Sequence, residues 1–437
     1  MIDRAHPRRK PTDSPRTNVF RANDPEPART PRSWLIGVVA VALLARLAFV
    51  LTLPVDESAM VSSLPDQREY LELARSLLSG QGLRFVDPRF ADEVRAFRPP
   101  GYPLLVAGCG GSVIAVRVVQ SALDASTVLA TYLLARRWLS SRFSVLAAAG
   151  VAVNPFLIYF CSLVLTETLF TALLAWSIAA LAHARSRGGG ADARFWIGVS
   201  LCCAAVYVKP SAVALPVALA AAAAVAGRLP QVLSLNGFRI HAGAAALAVG
   251  ALALLPWGVR NRIVLGEWVW TSTNDGFTLY DGLNPDADGS SNQTFVRQMP
   301  VLQTMTEPAR SEFLSRQAFT WASQNPGRVV ELAGRKLIRT WSPVPLSVEF
   351  GGRPTYQLVA AAYTLPLFVC TLIGVLRKSL SRPAKLFLLV PAIYFSVAHS
   401  VTVGSLRYRV PVEPMLCVLA ASALAPRRVS DDRKVGS

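Results

Sequence analysis

The sequence of 437 residues predicts an all-α polytopic membrane protein, a bundle of about ten transmembrane helices with two folded extracytoplasmic loops. Three observations predict it. Hydrophobic residues make up 52% of the chain and charged residues only 16%, with a mean hydropathy of +0.38, which is too apolar for an ordinary soluble enzyme. The apolar residues come in blocks of about twenty, the length at which a helix crosses a bilayer. Lys and Arg gather in every second interval between blocks, as they do on the cytoplasmic side of a membrane.

The elements follow in order. Residues 1–32 are a Pro- and Arg-rich polar tail, read as disordered and cytoplasmic and not as a cleavable signal peptide. The first spans are expected at Ser33–Leu53, Val113–Ala135, Phe143–Phe160 and Leu163–His183. The run Phe195–Gly227 is interrupted by "KPS" at 209–211, so it reads as two short helices, since Pro removes a donor and Lys avoids the bilayer centre. Further spans are expected at Ala242–Val259, Tyr356–Leu376, Leu386–Val403 and Arg407–Ala425. An even number of crossings puts the basic stretches "ARRWLSSR", "RSRGGGADAR", "RKSLSRPAK" and "PRRVSDDRK", with the loop Arg228–Arg239, on the side of the N-terminal tail. The domain reading is an N-terminal bundle at 33–259 that includes a first outer loop at 54–112. A large outer loop follows at 260–355, then C-terminal helices at 356–425 and a second cytoplasmic tail at 426–437. In the large loop, helical periodicity broken at Asn325-Pro326-Gly327 predicts two amphipathic helices.

Composition excludes several functions. The net charge of +18 sits in loops and tails where it fixes orientation, so no nucleic-acid partner is expected. The six cysteines form no CxxC pair and the four histidines no HExxH spacing, so they predict free thiols and no zinc site.

The first outer loop carries the chemistry. In "LPDQREYLELARSLLSGQGL", Pro65 suits the first turn of a helix and Gly80 the position after its end. Tyr70, Leu73, Ala74, Leu77 and Leu78 recur at helical spacing, and Asp66 stands four residues before Tyr70 on the same face. Asp66 is then either a first-turn acid favoured by the helix dipole or a functional carboxylate. In "FRPPGYP", Arg98 precedes two prolines on a stiff turn, Gly101 permits a tight bend, and Tyr102 is placed at the membrane interface. Arg98 either snorkels as an anchor or is a cation held at headgroup height for a phosphate. An acid and a fixed cation at the bilayer surface suggest chemistry on a lipid-linked phosphate.

The pairing of "DQREY" with "FRPPGYP" resembles the first outer loop of the GT-C-fold glycosyltransferases, in the bacterial branch of the protein O-mannosyltransferases and lipid A aminoarabinose transferases. "NPFLIYFCSLVLTETLFTALLAW", "YVKPSAVALP", "NRIVLGEWVWTSTNDGFTLYDGLNPDADG" and "LRYRVPVEPMLCVLAA" continue the resemblance in order from Arg46 to Ala421, with Lys209 where Arg is usual. The resemblance implies a GT-C-type bundle and transfer of a sugar from a polyprenyl-phosphate donor, with inversion, to a protein, lipid or glycan acceptor on the extracytoplasmic side. It implies Asp66 as the catalytic base. Arg98, Arg407, Arg409 and Lys209 are the candidate donor-phosphate ligands; each cation also reads as an interface anchor. Glu167, Tyr70 and Tyr102 are candidates for acceptor binding, with Glu167 as a second acid or a partner for an arginine. A divalent metal at Asp66 and Glu167 is left open. Arg46, Arg117, Asp124 and Glu413 read as an ion-pair group between helices, and Asn274, Tyr280 and Asn284 as either turn residues or sugar contacts. The competing readings are a flippase for lipid-linked sugars and a non-catalytic scaffold.

Overall fold

The computed structural model describes residues 32–57, 64–187, 190–225, 232–235, 238–346 and 353–426. Residues 1–31 and 427–437 and half of the loop Arg228–Arg239 lie outside them. The N-terminal half begins with α1 (Arg32–Thr52), followed by α2 (Pro65–Leu78), the hairpin β1 (Phe85–Asp87) and β2 (Asp92–Val94), and α3 (Gly101–Gly108). Then come α4 (Val113–Arg136), α5 (Ser141–Ala152), α6 (Pro155–Phe160), α7 (Glu167–His183), α8 (Ala193–Val206), α9 (Leu215–Val225) and α10 (Ala242–Leu265). The C-terminal part has α11 (Asn274–Gly282), α12 (Glu307–Gln324), α13 (Pro326–Thr340), α14 (Pro354–Leu376), α15 (Arg382–Val401) and α16 (Glu413–Leu424). Two further hairpins pair Ser186–Arg187 with Gly190–Ala191 and Val232–Leu235 with Phe238–His241.

Among the described residues, α1, α4, α10, α14 and α15 are long and apolar enough to cross a membrane, and shorter apolar helices stand beside them. Large apolar side chains stay exposed on their outer surfaces, among them Ile36 and Leu44 on α1, Leu252 on α10 and Leu358 and Leu372 on α14. Lipid accounts for that exposure, since no water-facing helix keeps such a face. The centre of the bundle is α4, α7 and α16: α4 packs on α1, α5 and α7, and α16 on α5 and α14.

Several expected spans have different bounds; Leu386–Val403, for one, starts four residues earlier, at Arg382. Phe143–Phe160 is two helices, because Pro155 has no donor and Asn154 caps the new start, accepting from the Phe156 and Leu157 amides at 2.9 and 3.2 Å. Leu163–His183 starts its helix only at Glu167. Ala242–Val259 runs on to Leu265, where Gly266 ends it in the left-handed region, so Arg260 and Arg262 belong to the helix and not to the large loop. Arg407–Ala425 becomes helical only at Glu413; 3-10 turns at Leu406–Tyr408 and Val410–Val412 precede it, where Pro411 and Pro414 deny the backbone two donors.

The two outer segments share one core. Leu73, Phe85, Phe90, Val94 and Phe97 of the first pack with Trp257, Phe277, Tyr280, Phe295 and Leu314, so the hairpin is clamped between α2 and the α11–α12 pair. Two separate buried ion pairs tie the bundle. Arg46 pairs with Asp124 and closes the end of α5 by donating to Ala152 O at 2.8 Å and Val151 O at 3.1 Å. Glu413 does not join them; it pairs with Arg409 and accepts from Asn154. Arg117 stands apart from both pairs and donates to Ser162 O at 2.9 Å.

Breaking one side of a buried pair strands a charge in an apolar medium, at about 3–5 kcal/mol. Arg46→Met is expected to lower stability by about that much, and Arg46→Met/Asp124→Leu to recover most of it. Thermal unfolding in detergent checks this; equal losses in the single and double variants contradict it.

Candidate active site

Helix α2 forms because Pro65 occupies its first turn and Tyr70, Leu71, Leu73 and Ala74 give it one buried face. It stops at Leu78, and Gly80 follows in the left-handed region (φ 76°). Leu78 itself is exposed, contrary to the expected stripe, while Gln67 is buried and accepts from the Val164 amide. The first turn of α2 thereby presents Asp66 beside the "FRPPGYP" turn. That turn is pinned: the Gly101 amide donates to Tyr207 O at 2.9 Å, and a Cβ at Gly101 would lie 2.7 Å from the same oxygen. Tyr207 is two residues before Lys209, so the stiff turn and the broken helix α8–α9 are locked together.

The result is an alternating row of six charges. Arg98 Nε donates to Glu69 Oε2 at 2.5 Å, and its NH2 to Asp66 Oδ1 at 2.6 Å. Asp66 Oδ2 accepts from Arg407 NH1 at 3.1 Å. Arg407 Nε donates to Glu167 Oε1 at 2.7 Å, which also accepts from Lys209 Nζ at 3.2 Å. Three carboxylates thus face three cations drawn from α2, the Pro-Pro-Gly turn, α7, the helix break and the turn after α15. Desolvation works to raise the pKa of Asp66, but the guanidiniums of Arg98 and Arg407 outweigh it and hold the carboxyl well below its usual range. At Glu69 desolvation wins over Arg98 and the pKa is raised.

Asp66, Arg98, Lys209 and Arg407 line one side of a cavity of about 400 Å³. Thr271, Asn274, Asp275, Thr278 and Ser315 of the large outer loop line it as well. His399 and Tyr408 stack ring on ring at its edge, centroids 3.3 Å apart, and His399 Nε2 has no hydrogen-bond partner among the described residues. A second, apolar groove of about 470 Å³ runs along α8, α9 and α10, lined by Val206, Val217, Leu247, Leu254 and Trp270. Val213 lines both, so the apolar groove adjoins the polar cavity.

The structure thus brings Asp66, Tyr70, Arg98, Lys209, Glu167 and Arg407 together and leaves other sequence candidates out. Arg409 is buried away from the cavity, paired with Glu413 at 2.9 Å, donating to Ser342 O at 2.6 Å and lying over the rings of Phe156 and Phe368. It braces the bundle and does not line this cavity. Tyr102 is wholly buried, edge-on to Tyr70 with its hydroxyl on Gln120 Oε1 at 2.8 Å, and so sits neither at the interface nor in the cavity. Tyr280 packs on Phe295, and Asn284 caps the end of α11 through Tyr280 O; of the loop candidates only Asn274 reaches the cavity. For a metal, Asp66 and Glu167 are a poor fit: Arg407 stands between them, and no group of three His, Cys, Asp or Glu among the described residues is arranged to hold an ion.

Sequence reasoning missed Glu69, Asp275, His399 and Tyr408. Glu307 was missed too. Its buried carboxylate accepts from the Arg95 and Ala96 amides at 2.7 and 2.9 Å and from the Thr273 hydroxyl at 2.6 Å. With Ser272 Oγ on Phe97 O at 2.6 Å, it grips the backbone just before Arg98. Only Glu307's place in the first turn of α12, before a Pro, was visible as a signal.

No family model matches the chain. Its fold is nonetheless that of the GT-C membrane transferases. The archaeal oligosaccharyltransferase AglB of Archaeoglobus fulgidus, solved with an inhibitory peptide and a dolichol-phosphate, matches 90% of this chain over 50% of its own at a TM-score of 0.51 and 16% identity. The apo form of the Archaeoglobus fulgidus enzyme matches 89% of the chain and 50% of its own at 0.50 and 15%. In sequence, the chain is similar to the undecaprenyl phosphate-alpha-4-amino-4-deoxy-L-arabinose arabinosyl transferase of Pseudomonas aeruginosa, 27% identical over 309 residues. That alignment covers 67% of this chain and 52% of the relative, so the chain spans about half the length of the curated relatives it matches.

Glu307→Ala leaves two buried amides unpaired and is expected to cost about 1–3 kcal/mol of stability. Thermal unfolding of the detergent-solubilised chain reads this; a change within error contradicts the grip assigned to Glu307.

Proposed function

We propose that this protein is a glycosyltransferase that moves a sugar from a polyprenyl-phosphate donor to an extracytoplasmic acceptor, with inversion at the anomeric carbon. One observation carries the proposal: a carboxylate held between two guanidiniums, in a polar cavity that adjoins an apolar groove. The name of the similar Pseudomonas aeruginosa protein, an undecaprenyl-phosphate-linked sugar transferase, supports the donor class. The Lys/Arg distribution supports cytoplasmic termini and an outward-facing site.

The groove takes the isoprenoid tail, and Arg98, Arg407 and Lys209 take the phosphate. The sugar lies under Asn274, Asp275, Thr278 and Ser315. Asp66 accepts the proton of the acceptor hydroxyl. The acceptor oxygen then bonds to the anomeric carbon while the bond from that carbon to the phosphate oxygen breaks, and its electron pair leaves with the phosphate. Charge is conserved within the row: the departing phosphate gains one negative charge as Asp66 loses one. Neutralised Asp66 releases its two guanidiniums to the leaving group at the moment they are needed. A carboxyl held this low is a weak base in the empty site. Donor phosphate competes for the same guanidiniums, so binding itself raises the basicity of Asp66. The sugar is a pentose, hexose or amino sugar; the acceptor is a protein, lipid or glycan hydroxyl. A flippase would place its charges at the membrane midplane between repeats; here they gather beneath the outer segments.

Assays of the purified full chain with a panel of polyprenyl-phosphate sugars test the roles. Asp66→Asn is expected to lower kcat about 100- to 10,000-fold while donor affinity holds or improves. Arg98→Gln and Arg407→Gln are expected to lose both donor affinity and about 100- to 1,000-fold in kcat. Turnover of the Asn variant at the wild-type rate removes Asp66 from the role of base.

The pH profile gives a second check. Desolvation by the cavity walls pushes Asp275 up to about 6, against the Thr271 hydroxyl and the Ser272 backbone that lower it. In the empty site Asp66 stays ionised far below that, so the profile is read on kcat/KM, which reports the free enzyme. Loss of activity as pH falls through about 6 is therefore expected to come from Asp275 and to vanish in Asp275→Asn; an unchanged acid limb in that variant contradicts the placement of Asp275 on the sugar.

A further inference from the structure

A separate groove of about 410 Å³ lies on the outer side of α10 and shares no lining residue with the reaction cavity. Three arginines line it: Arg84 and Arg95 from the flanks of the β-hairpin, and Arg260 from α10. Leu77, Leu83 and Val264 make its apolar floor. Glu93 is the carboxylate within reach, pairing with Arg84 at 2.7 Å and with Arg95 at 2.7 Å. Arg260 forms no ion pair among the described residues. Its NH1 donates to Arg95 O at 2.8 Å and Asn261 Oδ1 at 2.9 Å, its NH2 to Leu83 O at 3.1 Å, and its guanidinium lies over the Trp257 ring. Glu307, behind the wall, spends its oxygens on backbone amides and Thr273. The groove therefore presents three fixed cations against one carboxylate at its rim, with the charge of Glu307 acting on Arg260 from behind the wall.

The depth of the groove identifies its occupant. Trp268 and Trp270 stack on each other, centroids 5.1 Å apart, with about half of each exposed, as in an interfacial aromatic belt. Trp270 lies flat on Gly258, where a Cβ would approach its ring to 2.7 Å. Arg260, two residues further along the helix, is thus at headgroup height. Beside the groove, Val259 and Ile263 expose apolar side chains from the same helix, a surface that acyl chains cover. Cations on this side of a membrane need a reason, because topology signals favour the other side.

We infer that Arg84, Arg95 and Arg260 form a headgroup site for an anionic phospholipid of the adjacent leaflet, its phosphate among the guanidiniums and its acyl chains along α10. The bound headgroup bridges the first outer segment to a membrane helix, and the site stands independently of the proposed transferase activity.

The test uses the full chain in nanodiscs of phosphatidylcholine with or without phosphatidylglycerol, with retained lipid read by native mass spectrometry. Selective retention of phosphatidylglycerol, weakening as salt rises, is expected. Arg84→Gln/Arg95→Gln is expected to reduce it roughly tenfold or more, while Arg84→Lys/Arg95→Lys, which keeps the charge, retains most of it. Glu93→Gln removes the opposing carboxylate and is expected to strengthen retention. Equal retention of phosphatidylcholine, displacement by inorganic phosphate, loss in the Lys variant equal to that in the Gln variant, or indifference to both the Gln and Glu93 substitutions overturns the assignment.

Discussion

The contact on which the rest of the site depends is the pair of guanidiniums, Arg98 and Arg407, closing on Asp66. Neither arginine is stable at its position without a carboxylate, and Asp66 is not stable there without them, because each is largely withdrawn from water. Extending the row to Glu69, Glu167 and Lys209 balances three negative against three positive charges. A balanced row tolerates burial, yet it responds to any anion that enters, since an incoming phosphate competes for the same donors. The site is thus preorganised toward a phosphate without holding surplus charge when empty.

Most of the remaining structure serves to fix that row. The Pro-Pro-Gly turn is held against Tyr207 by Gly101, and the backbone before Arg98 is gripped by Glu307 and Ser272. Arg407 rides on a 3-10 turn whose other end is braced by Arg409 and Glu413. The members of the row come from distant parts of the chain, so its geometry exists only when both outer segments are packed on the bundle.

How much of this was legible depended on whether a residue broke its local pattern. Asp66 on an apolar face, Arg98 before two prolines, Lys209 at a Pro break and Glu167 beside an apolar run are each out of place locally, and each is in the row. Glu69, Asp275 and Glu307 break no pattern: a charged residue on a polar helix face, or in a turn, has an ordinary explanation until the rest of the cavity is known. His399 does break one, standing in the apolar span Leu386–Val403, but with no ligand spacing it pointed to no chemistry. Arg407 and Arg409 looked equivalent because they are two residues apart. On a helical turn that spacing sends side chains to different faces, and only one reaches the cavity. Tyr102 resembled an interface aromatic because its turn was placed at the membrane surface, whereas tertiary packing covers it completely. Helix ends moved where proline or a capping Asn overrode apolar continuity, as at Asn154–Pro155.

The most direct measurement is the fate of the donor. Purified full-length chain is incubated with polyprenyl-phosphate sugars and a hydroxyl acceptor extract, and the lipid and the anomeric configuration of the product are followed by mass spectrometry and NMR. Release of polyprenyl phosphate together with a glycosylated product of inverted configuration is the expected result. A donor that binds or crosses the bilayer with its sugar–phosphate bond intact, across the whole panel, contradicts the assignment of the charge row to glycosyl transfer.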